Sequence, residues 1–155
     1  MKTAADILAN KQKRMISVPA GATVYEALQK MTEAKIGAIL VTEGSDDQIV
    51  GIWTERDLMR NTLVEGFNPR AARIGDHMTT NLHTAPDTAT IFELKDMLLG
   101  LFIRHILIKN GDTFVGILSV GDLVRASLLA QDQHIRELKS QTSWHYYENW
   151  GWDPK

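Results

Sequence analysis

The sequence VGIWTERDLMR at residues 50–60 recurs 65 residues later as VGILSVGDLVR at residues 115–125. Further upstream, SVPAGATVYE at residues 17–26 matches TAPDTATIFE at residues 84–93, with an offset of 67 residues. The difference of two residues falls in the loop at residues 43–48, where a change of length costs little free energy. The chain is therefore predicted to contain two copies of one structural unit.

Each copy has the pattern of a strand, a helix, two further strands and a second helix. Apolar side chains recur at helical spacing from Val24 in the first copy and from Ile91 in the second, each directly after a threonine that can cap the helix. Asn110-Gly111 favours a tight hairpin turn between two strands of the second copy. The predicted strands cover residues 15–18, 36–42, 49–54, 82–85, 103–108 and 113–119, and residues 5–8 and 75–78 begin the two copies.

The predicted fold is mixed α/β (α+β), with two β-α-β-β-α repeats at residues 3–65 and 73–130. A unit of about 60 residues has a small core, so we expect the repeats to pack together with pseudo-two-fold symmetry and equivalent clefts. Residues 131–155 follow as a C-terminal helix and an aromatic tail, which either folds back over its own domain or grips a partner chain. Because an exposed aromatic cluster favours aggregation, we expect the tail to be covered.

The composition limits the class of protein. With 155 residues, of which 44% are hydrophobic and 23% charged, the chain resembles an ordinary globular protein. Its net charge of −2 argues against a protein that binds the phosphate backbone of nucleic acids. The chain has no cysteine, which excludes disulfides, thiolate zinc sites and cysteine nucleophiles. It has no apolar run of ~18 residues and no signal-peptide pattern, so we expect a cytoplasmic protein without a membrane partner.

A hydroxyl and a carboxylate three residues apart begin the last helix of each copy: Thr54 with Asp57, and Ser119 with Asp122. Such a pair can serve only as a capping box, in which side chains and backbone at the helix start bind each other. It can also hold a ligand, with the hydroxyl and the helix N–H groups at a phosphate and the carboxylate at ribose hydroxyls. A glycine three residues before each hydroxyl permits close backbone approach, and the repetition of the whole motif favours a ligand site.

The motif Gly-x-x-[Thr/Ser]-x-x-Asp after a hairpin, present twice and preceded by a Pro-x-x-Ala-Thr helix start, resembles that of tandem CBS (cystathionine-β-synthase) domains. Such a pair of domains is called a Bateman module, and the resemblance covers residues 3–130. It implies clefts between the repeats that bind adenosine-containing ligands such as AMP, ADP, ATP, NAD(H) or S-adenosylmethionine. It also implies a regulatory protein that forms dimers.

The resemblance further implies roles for individual residues. It assigns ribose contacts to Asp57 and Asp122, and phosphate contacts to Thr54 and Ser119. The backbone and apolar walls around adenine are expected to come from Ile16, Val18, Gly37, Ala38 and Ile39 in the first copy and from His83, Ala85 and Ile106 in the second.

The two copies differ where their central strands begin, since Arg104-His105 stands where the first copy has a Gly-Ala pair. In some related nucleotide sensors a basic pair here reaches the phosphates, which suits a guanidinium fork, and a histidine would add pH sensitivity. Alternatively, Arg104 neutralises nearby acids and His105 is a hydrogen-bonded core histidine. In the first copy Arg56 lies inside the motif, either at a phosphate or in solvent. The two clefts are therefore expected to be unequal.

The sequence offers little support for catalysis, and we expect neither enzyme activity nor a required cofactor. The chain contains no P-loop, GxGxxG or HExxH motif, and its five histidines show no metal-ligand spacing. The predicted function is a regulatory module that senses an adenine nucleotide (AMP, ADP or ATP first) and, as a homodimer, switches an unidentified effector protein or its own assembly. The alternatives are a dimerisation scaffold with empty clefts and a sensor of S-adenosylmethionine or NAD(H). The net charge disfavours a nucleic-acid-binding regulator.

Overall fold

The computed structural model describes residues 1–11, 15–44 and 48–141, with side chains up to residue 138. Five helices and six strands follow each other in the order predicted for a repeated unit. In chain order they are α1 (Ala4–Ala9), β1 (Ser17–Pro19), α2 (Val24–Ala34), β2 (Ala38–Glu43), β3 (Gln48–Thr54), α3 (Glu55–Asn61), β4 (Thr84–Pro86), α4 (Ile91–Gly100), β5 (His105–Asn110), β6 (Thr113–Ser119) and α5 (Val120–Gln141). A 3₁₀ turn at Ile74–Asp76 precedes β4.

Each repeat is built on one three-stranded sheet. In the first sheet β1 pairs with β2 in parallel and β2 pairs with β3 antiparallel, and β4, β5 and β6 repeat this arrangement. The irregularities repeat as well, since the register shifts after Val41 in β2 and after Ile108 in β5. The predicted α+β fold of two β-α-β-β-α repeats is therefore confirmed.

The helix starts agree with the sequence prediction, whereas the strand starts differ from it. Thr23 and Thr90 cap α2 and α4 through complete capping boxes. The strands β2 and β5 begin two residues later than predicted, because Lys35 and Phe102 adopt left-handed backbone angles, with φ of 53° and 56°, and turn the chain after each helix. The short strands β1 and β4 include the proline expected to stop them, which an edge strand tolerates.

The segments that begin the two copies exchange places in the structure. Ile7 of α1 is buried in the core of the second repeat, whereas Ile74 of the 3₁₀ turn is buried in the core of the first. Backbone hydrogen bonds hold both segments, with Ala4 N donating to Ala89 O at 2.8 Å and Ile74 N donating to Ala22 O at 2.9 Å. Each repeat thus completes its core with residues from the other copy, which ties the two repeats together.

Two glycines make room for the exchanged segments. A Cβ atom on Gly116 would lie 2.5 Å from Leu8 Cδ2, and a Cβ atom on Gly51 would lie 2.3 Å from Met78 Sδ. The sequence analysis connected both glycines with close approach at a ligand site, whereas in the structure side chains of the exchanged segments occupy the space beside them. No side chain larger than hydrogen fits at either position without displacing its neighbour.

The last helix, α5, extends to Gln141, in agreement with the predicted C-terminal helix. The aromatic tail lies outside the described residues, so both interpretations of it remain predictions. Among the helices that the structure describes, none is both long enough and apolar enough to span a membrane.

Candidate functional site

Two clefts open between the repeats. The first cleft, of about 430 Å³, is lined by the start of α3 from the first repeat and by β5 and the segment before β4 from the second. The second cleft, of about 600 Å³, combines the start of α5 from the second repeat with β2 from the first and with α1. Each cleft therefore places the hydroxyl and carboxylate motif of one repeat opposite the central strand of the other.

Most of the site residues predicted from the sequence line these clefts. The first cleft contains Gly37, Thr54, Arg56, Asp57, His83, Arg104 and His105. The second cleft contains Ile16, Gly37, Ala38, His105, Ser119 and Asp122. Because Gly37 and His105 belong to both sets, the starts of β2 and β5 border both clefts.

The side chains of the other four predicted residues lie in the hydrophobic cores. Val18 and Ile39 pack in the core of the first repeat, and Ala85 and Ile106 pack in that of the second. The physical reason is the alternation of side chains along a strand, which turns neighbouring residues to opposite faces. On β2 Ala38 and Leu40 face the second cleft, and on β5 His105 and Leu107 face the first. None of these four residues lines either cleft, whereas Leu40 and Leu107, the strand neighbours of Ile39 and Ile106, do so. The contribution of the backbone to an adenine site stays a prediction.

Both hydroxyl and carboxylate motifs form complete capping boxes. Thr54 N and Oγ1 donate to Asp57 Oδ2 at 2.9 and 3.0 Å, and Asp57 N donates to Thr54 Oγ1 at 3.3 Å. Ser119 and Asp122 make the same three contacts at 2.8, 2.8 and 3.2 Å. The same box also begins α1, α2 and α4, and Asp6 of the box on α1 lines the second cleft as well. A capping box at a cleft therefore does not by itself indicate a ligand, and what distinguishes the two motifs is that they stand at equivalent places in the two repeats, one at each cleft.

The two carboxylates have different electrostatic surroundings. Asp57 Oδ1 lies 3.6 Å from Arg60 Nη1, whose side chain is largely exposed. Asp122 Oδ2 accepts a hydrogen bond from Lys11 Nζ at 2.8 Å, and both of these side chains are mostly buried. Burial raises the pKa of Asp122, but the hydrogen bonds from Lys11 and Ser119 outweigh it and hold the pKa below the ordinary value.

Two arginines predicted as site residues line the first cleft, and one of them connects the repeats. Arg56 Nη1 donates to the backbone carbonyl of Phe102 at 3.1 Å, so this side chain reaches from the first repeat to the second instead of extending into solvent. Arg104 is exposed at the rim of the cleft, and its carbonyl accepts a hydrogen bond from Val120 N at 3.1 Å. Both guanidinium groups are therefore available at the edge of the same cavity.

The cleft residues suit an organic anion better than a metal ion. Within the described part of the chain, no three His, Cys, Asp or Glu side chains come together in a way that could hold a metal. The first cleft instead combines Arg56, Arg60 and Arg104 with two carboxylates, those of Glu55 and Asp57. Guanidinium groups bind phosphate oxygens, and a carboxylate accepts hydrogen bonds from hydroxyl groups. A phosphorylated ligand that also carries hydroxyls matches this set.

His105 lies between the clefts and is largely buried. Burial, together with the positive charges of Arg104 and Lys11, lowers the pKa of His105 to about 4. The negative charge of Asp122 acts in the other direction but is outweighed. The imidazole is therefore neutral near pH 7, and the pH sensitivity expected from the sequence moves to acidic pH.

The free energy of unfolding is expected to fall as the pH drops from about 6.5 towards 4. An unfolded histidine has a pKa of about 6.5, so the unfolded chain takes up a proton in this range before folded His105 does. The loss of unfolding free energy reaches about 3 kcal/mol once His105 is protonated in both the folded and the unfolded chain. Urea denaturation at pH 7, 6, 5 and 4 would show a weaker pH dependence for His105→Asn than for the natural protein. Identical pH dependence in the two proteins would contradict this prediction.

Several cleft residues were missed by sequence reasoning, although most had a signal. The positions of Leu40 and Leu107 on the cleft-facing side of their strands follow from strand alternation once the register is known. Arg60 and Arg125 stand three residues after the aspartate in both copies, and each lines a cleft. Lys11 had no such signal, because its partner Asp122 is 111 residues away in the chain.

Comparison with known proteins agrees with the fold. The family model described as CBS domain matches residues 4–63 and 74–129, and the chain belongs to this family. The match includes both repeats, which makes the protein a tandem pair of CBS domains.

Relatives and solved structures extend the comparison. The chain is 31% identical over 121 residues to the CBS domain-containing protein CBSX3, mitochondrial, of Arabidopsis thaliana, a match that covers 76% of this chain and 59% of that protein. A protein with CBS domains from Burkholderia ambifaria has 31% identity and a TM-score of 0.78, covering 84% of this chain and 96% of that one. A CBS domain protein from Pyrobaculum aerophilum, solved in complex with AMP, has 21% identity and a TM-score of 0.71. The match covers 85% of this chain and 99% of that one. At that identity, the last comparison shows the fold alone.

Proposed function

We propose that the protein is a regulatory module that binds an adenine nucleotide, with AMP, ADP or ATP as first choice, in the clefts between its CBS repeats. The observation that carries the proposal is the composition of the first cleft. It places Thr54 and Asp57 of one repeat opposite Arg104 and His105 of the other, with Arg56 between them. The AMP complex of the Pyrobaculum aerophilum protein, which shares the fold, supports the choice of ligand.

Each part of an adenine nucleotide has a counterpart in the first cleft. The carboxylate of Asp57 accepts hydrogen bonds from ribose hydroxyls, and Arg56 and Arg104 bind phosphate oxygens as bidentate donors. Ile52 and Leu107 line the same cavity and provide apolar surface for the base. A cavity of about 430 Å³ has the size of a small-molecule site.

Regulation follows from the position of the ligand between the repeats. A ligand shifts a conformational equilibrium only when it binds one state better than the other. Because both repeats contribute to each cleft, a bound nucleotide favours the arrangement that brings their contacts together. The response passes to an effector protein or to the assembly of a homodimer.

Thermal unfolding with a panel of ligands tests this function. The panel contains AMP, ADP, ATP, NAD(H), S-adenosylmethionine and GMP, added to protein shown to be free of copurified nucleotide. At a concentration 100-fold above its dissociation constant, the cognate ligand stabilises by about 2.7 kcal/mol. The expected rise in melting temperature is about 5–10 °C, with no rise for GMP. If none of the adenosine compounds raises the melting temperature, the dimerisation scaffold with empty clefts is favoured. The complete capping boxes and the Lys11–Asp122 ion pair are compatible with empty clefts, because their polar groups bind each other.

Arg104→Gln is expected to weaken AMP binding by about 10–100-fold, because a hydrogen bond to a charged group contributes ~1.5–3 kcal/mol. Binding of adenosine, which has no phosphate and no charge, would be unaffected. Isothermal titration calorimetry measures both affinities. Arg136→Gln is the matched control, since Arg136 is an exposed arginine on α5 that lines neither cleft. Equal AMP affinity in all three proteins would show that Arg104 does not contact the phosphate.

A further inference from the structure

The second cleft contains a cation that belongs to the chain itself. Lys11 lies two residues after the end of α1, and its Nζ atom donates to Asp122 Oδ2 and to the carbonyl oxygen of Ile117, both at 2.8 Å. The side chains of Lys11 and Asp122 are only 16% and 22% exposed. The ammonium group is therefore held inside the cleft by two acceptors instead of lying at its rim.

One of these two acceptors belongs to the motif that the proposed function assigns to the ligand. Asp122 is the carboxylate in the position of Asp57, and ribose hydroxyls donate to a carboxylate. With Lys11 in place, Asp122 Oδ2 is already bound to an ammonium group, and the charge of Asp122 is compensated.

The first cleft has a neutral residue at the corresponding position. Leu8 packs on Gly116 in the same way as Met78 packs on Gly51, so the residue three places further along is Lys11 in one segment and Asn81 in the other. Asn81 lines the first cleft and is exposed. The pseudo-symmetry therefore also breaks at this position, which carries a positive charge in the second cleft and a neutral amide in the first.

We propose that Lys11 is an internal occupant of the second cleft, which lowers the affinity of that cleft for adenosine-containing ligands and makes the first cleft the tighter site. This inference rests on the proposed function. A ligand entering the second cleft has to displace an ammonium group from a largely buried carboxylate. A ligand entering the first cleft meets Asp57, whose side chain is itself only 12% exposed but whose neighbour Arg60 lies at 3.6 Å on an exposed side chain that can move away.

Calorimetric titration with AMP tests the proposal through the number of sites. The natural protein is expected to bind one AMP tightly. In Lys11→Gln the second cleft is expected to gain affinity by tenfold or more, so that two molecules bind per chain. Lys30→Gln is the matched control, because Lys30 also donates to a backbone carbonyl, that of Ser17 at 3.1 Å, but lines neither cleft. Its titration should equal that of the natural protein.

A reciprocal variant keeps the test decisive if Lys11→Gln is poorly folded. Asn81→Lys places an ammonium group at the corresponding exposed position of the first cleft and is expected to weaken its AMP affinity by tenfold or more. The NMR titration of His105 reports the location of Lys11 independently, since the charge of Lys11 contributes to the low pKa of this histidine. In Lys11→Gln that pKa is expected to rise.

The outcomes separate this inference from the proposed function. Two equal AMP sites in the natural protein, or an unchanged or weaker second site in Lys11→Gln, would overturn the role of Lys11 and leave the nucleotide sensor intact. An unchanged pKa of His105 in Lys11→Gln would also overturn it. No binding of AMP to the natural protein or to any variant would overturn the proposed function and this inference together.

Discussion

A valine in place of Gly116 is expected to lower the free energy of unfolding by about 3 kcal/mol or more. Its Cβ atom alone would lie 2.5 and 2.7 Å from the two terminal carbons of Leu8, and valine adds two further methyl groups. The backbone of Leu8 cannot withdraw freely, because α1 is anchored by the buried Ile7 and by the hydrogen bond from Ala4 N to Ala89 O. The overlap therefore has to be relieved by a changed conformation of the partly buried Leu8 side chain or by a shift of the exchanged segment away from the second repeat.

Thermal and urea denaturation measure this effect, with an expected fall in melting temperature of about 10 °C. A double substitution that enlarges residue 116 and shortens residue 8 tests whether the loss of stability comes from overlap with Leu8. The alternative is that β6 tolerates no side chain at residue 116. Gly116→Ala combined with Leu8→Ala should lose less stability than the sum of the two single substitutions, because alanine at residue 8 leaves space for the new Cβ atom. Gly100→Ala is the control, since nothing lies within 4 Å of the position of its Cβ atom. It should be neutral or slightly stabilising. If the losses of stability from Gly116→Ala and Leu8→Ala are strictly additive in the double variant, the steric explanation is refuted.

Local features of this fold could be predicted from the sequence, because each depends on residues close together in the chain. Thr23 and Thr90 cap the helices that follow them, and Asn110-Gly111 makes the hairpin turn between β5 and β6. The internal repeat then extends each local prediction to its copy. The elements and their order follow from these signals without knowledge of tertiary contacts.

Features that depend on distant packing could not be predicted. Nothing near Ile7 or Ile74 in the sequence indicates that each completes the core of the other repeat. The resemblance to CBS domains located the strands that line the clefts but not the face that each side chain takes. The sequence prediction therefore placed Ile39 and Ile106 at the adenine walls, where Leu40 and Leu107 line the clefts instead.

Replacing Asp57 by asparagine is expected to weaken AMP binding at the first cleft by about tenfold or more while the fold is retained. In the proposed complex the carboxylate accepts hydrogen bonds from the ribose hydroxyls, and a neutral amide accepts them more weakly. The amide oxygen can still accept from Thr54 N and Oγ1, which bind Asp57 Oδ2 at 2.9 and 3.0 Å. The start of α3 therefore keeps its cap, and calorimetric titration reports ligand binding on a folded protein.

Glu26→Gln is the matched control, because it makes the same chemical change in the same kind of capping box. Glu26 Oε2 accepts from Thr23 N at 2.7 Å and from Thr23 Oγ1 at 3.0 Å, and Glu26 lines neither cleft. Each substitution weakens a helix cap and is expected to cost about 1 kcal/mol of stability. Only Asp57→Asn should lower the affinity for AMP. If both variants bind AMP as the natural protein does, Asp57 acts as a cap alone, and the ribose contact in the first cleft has to be assigned to another residue.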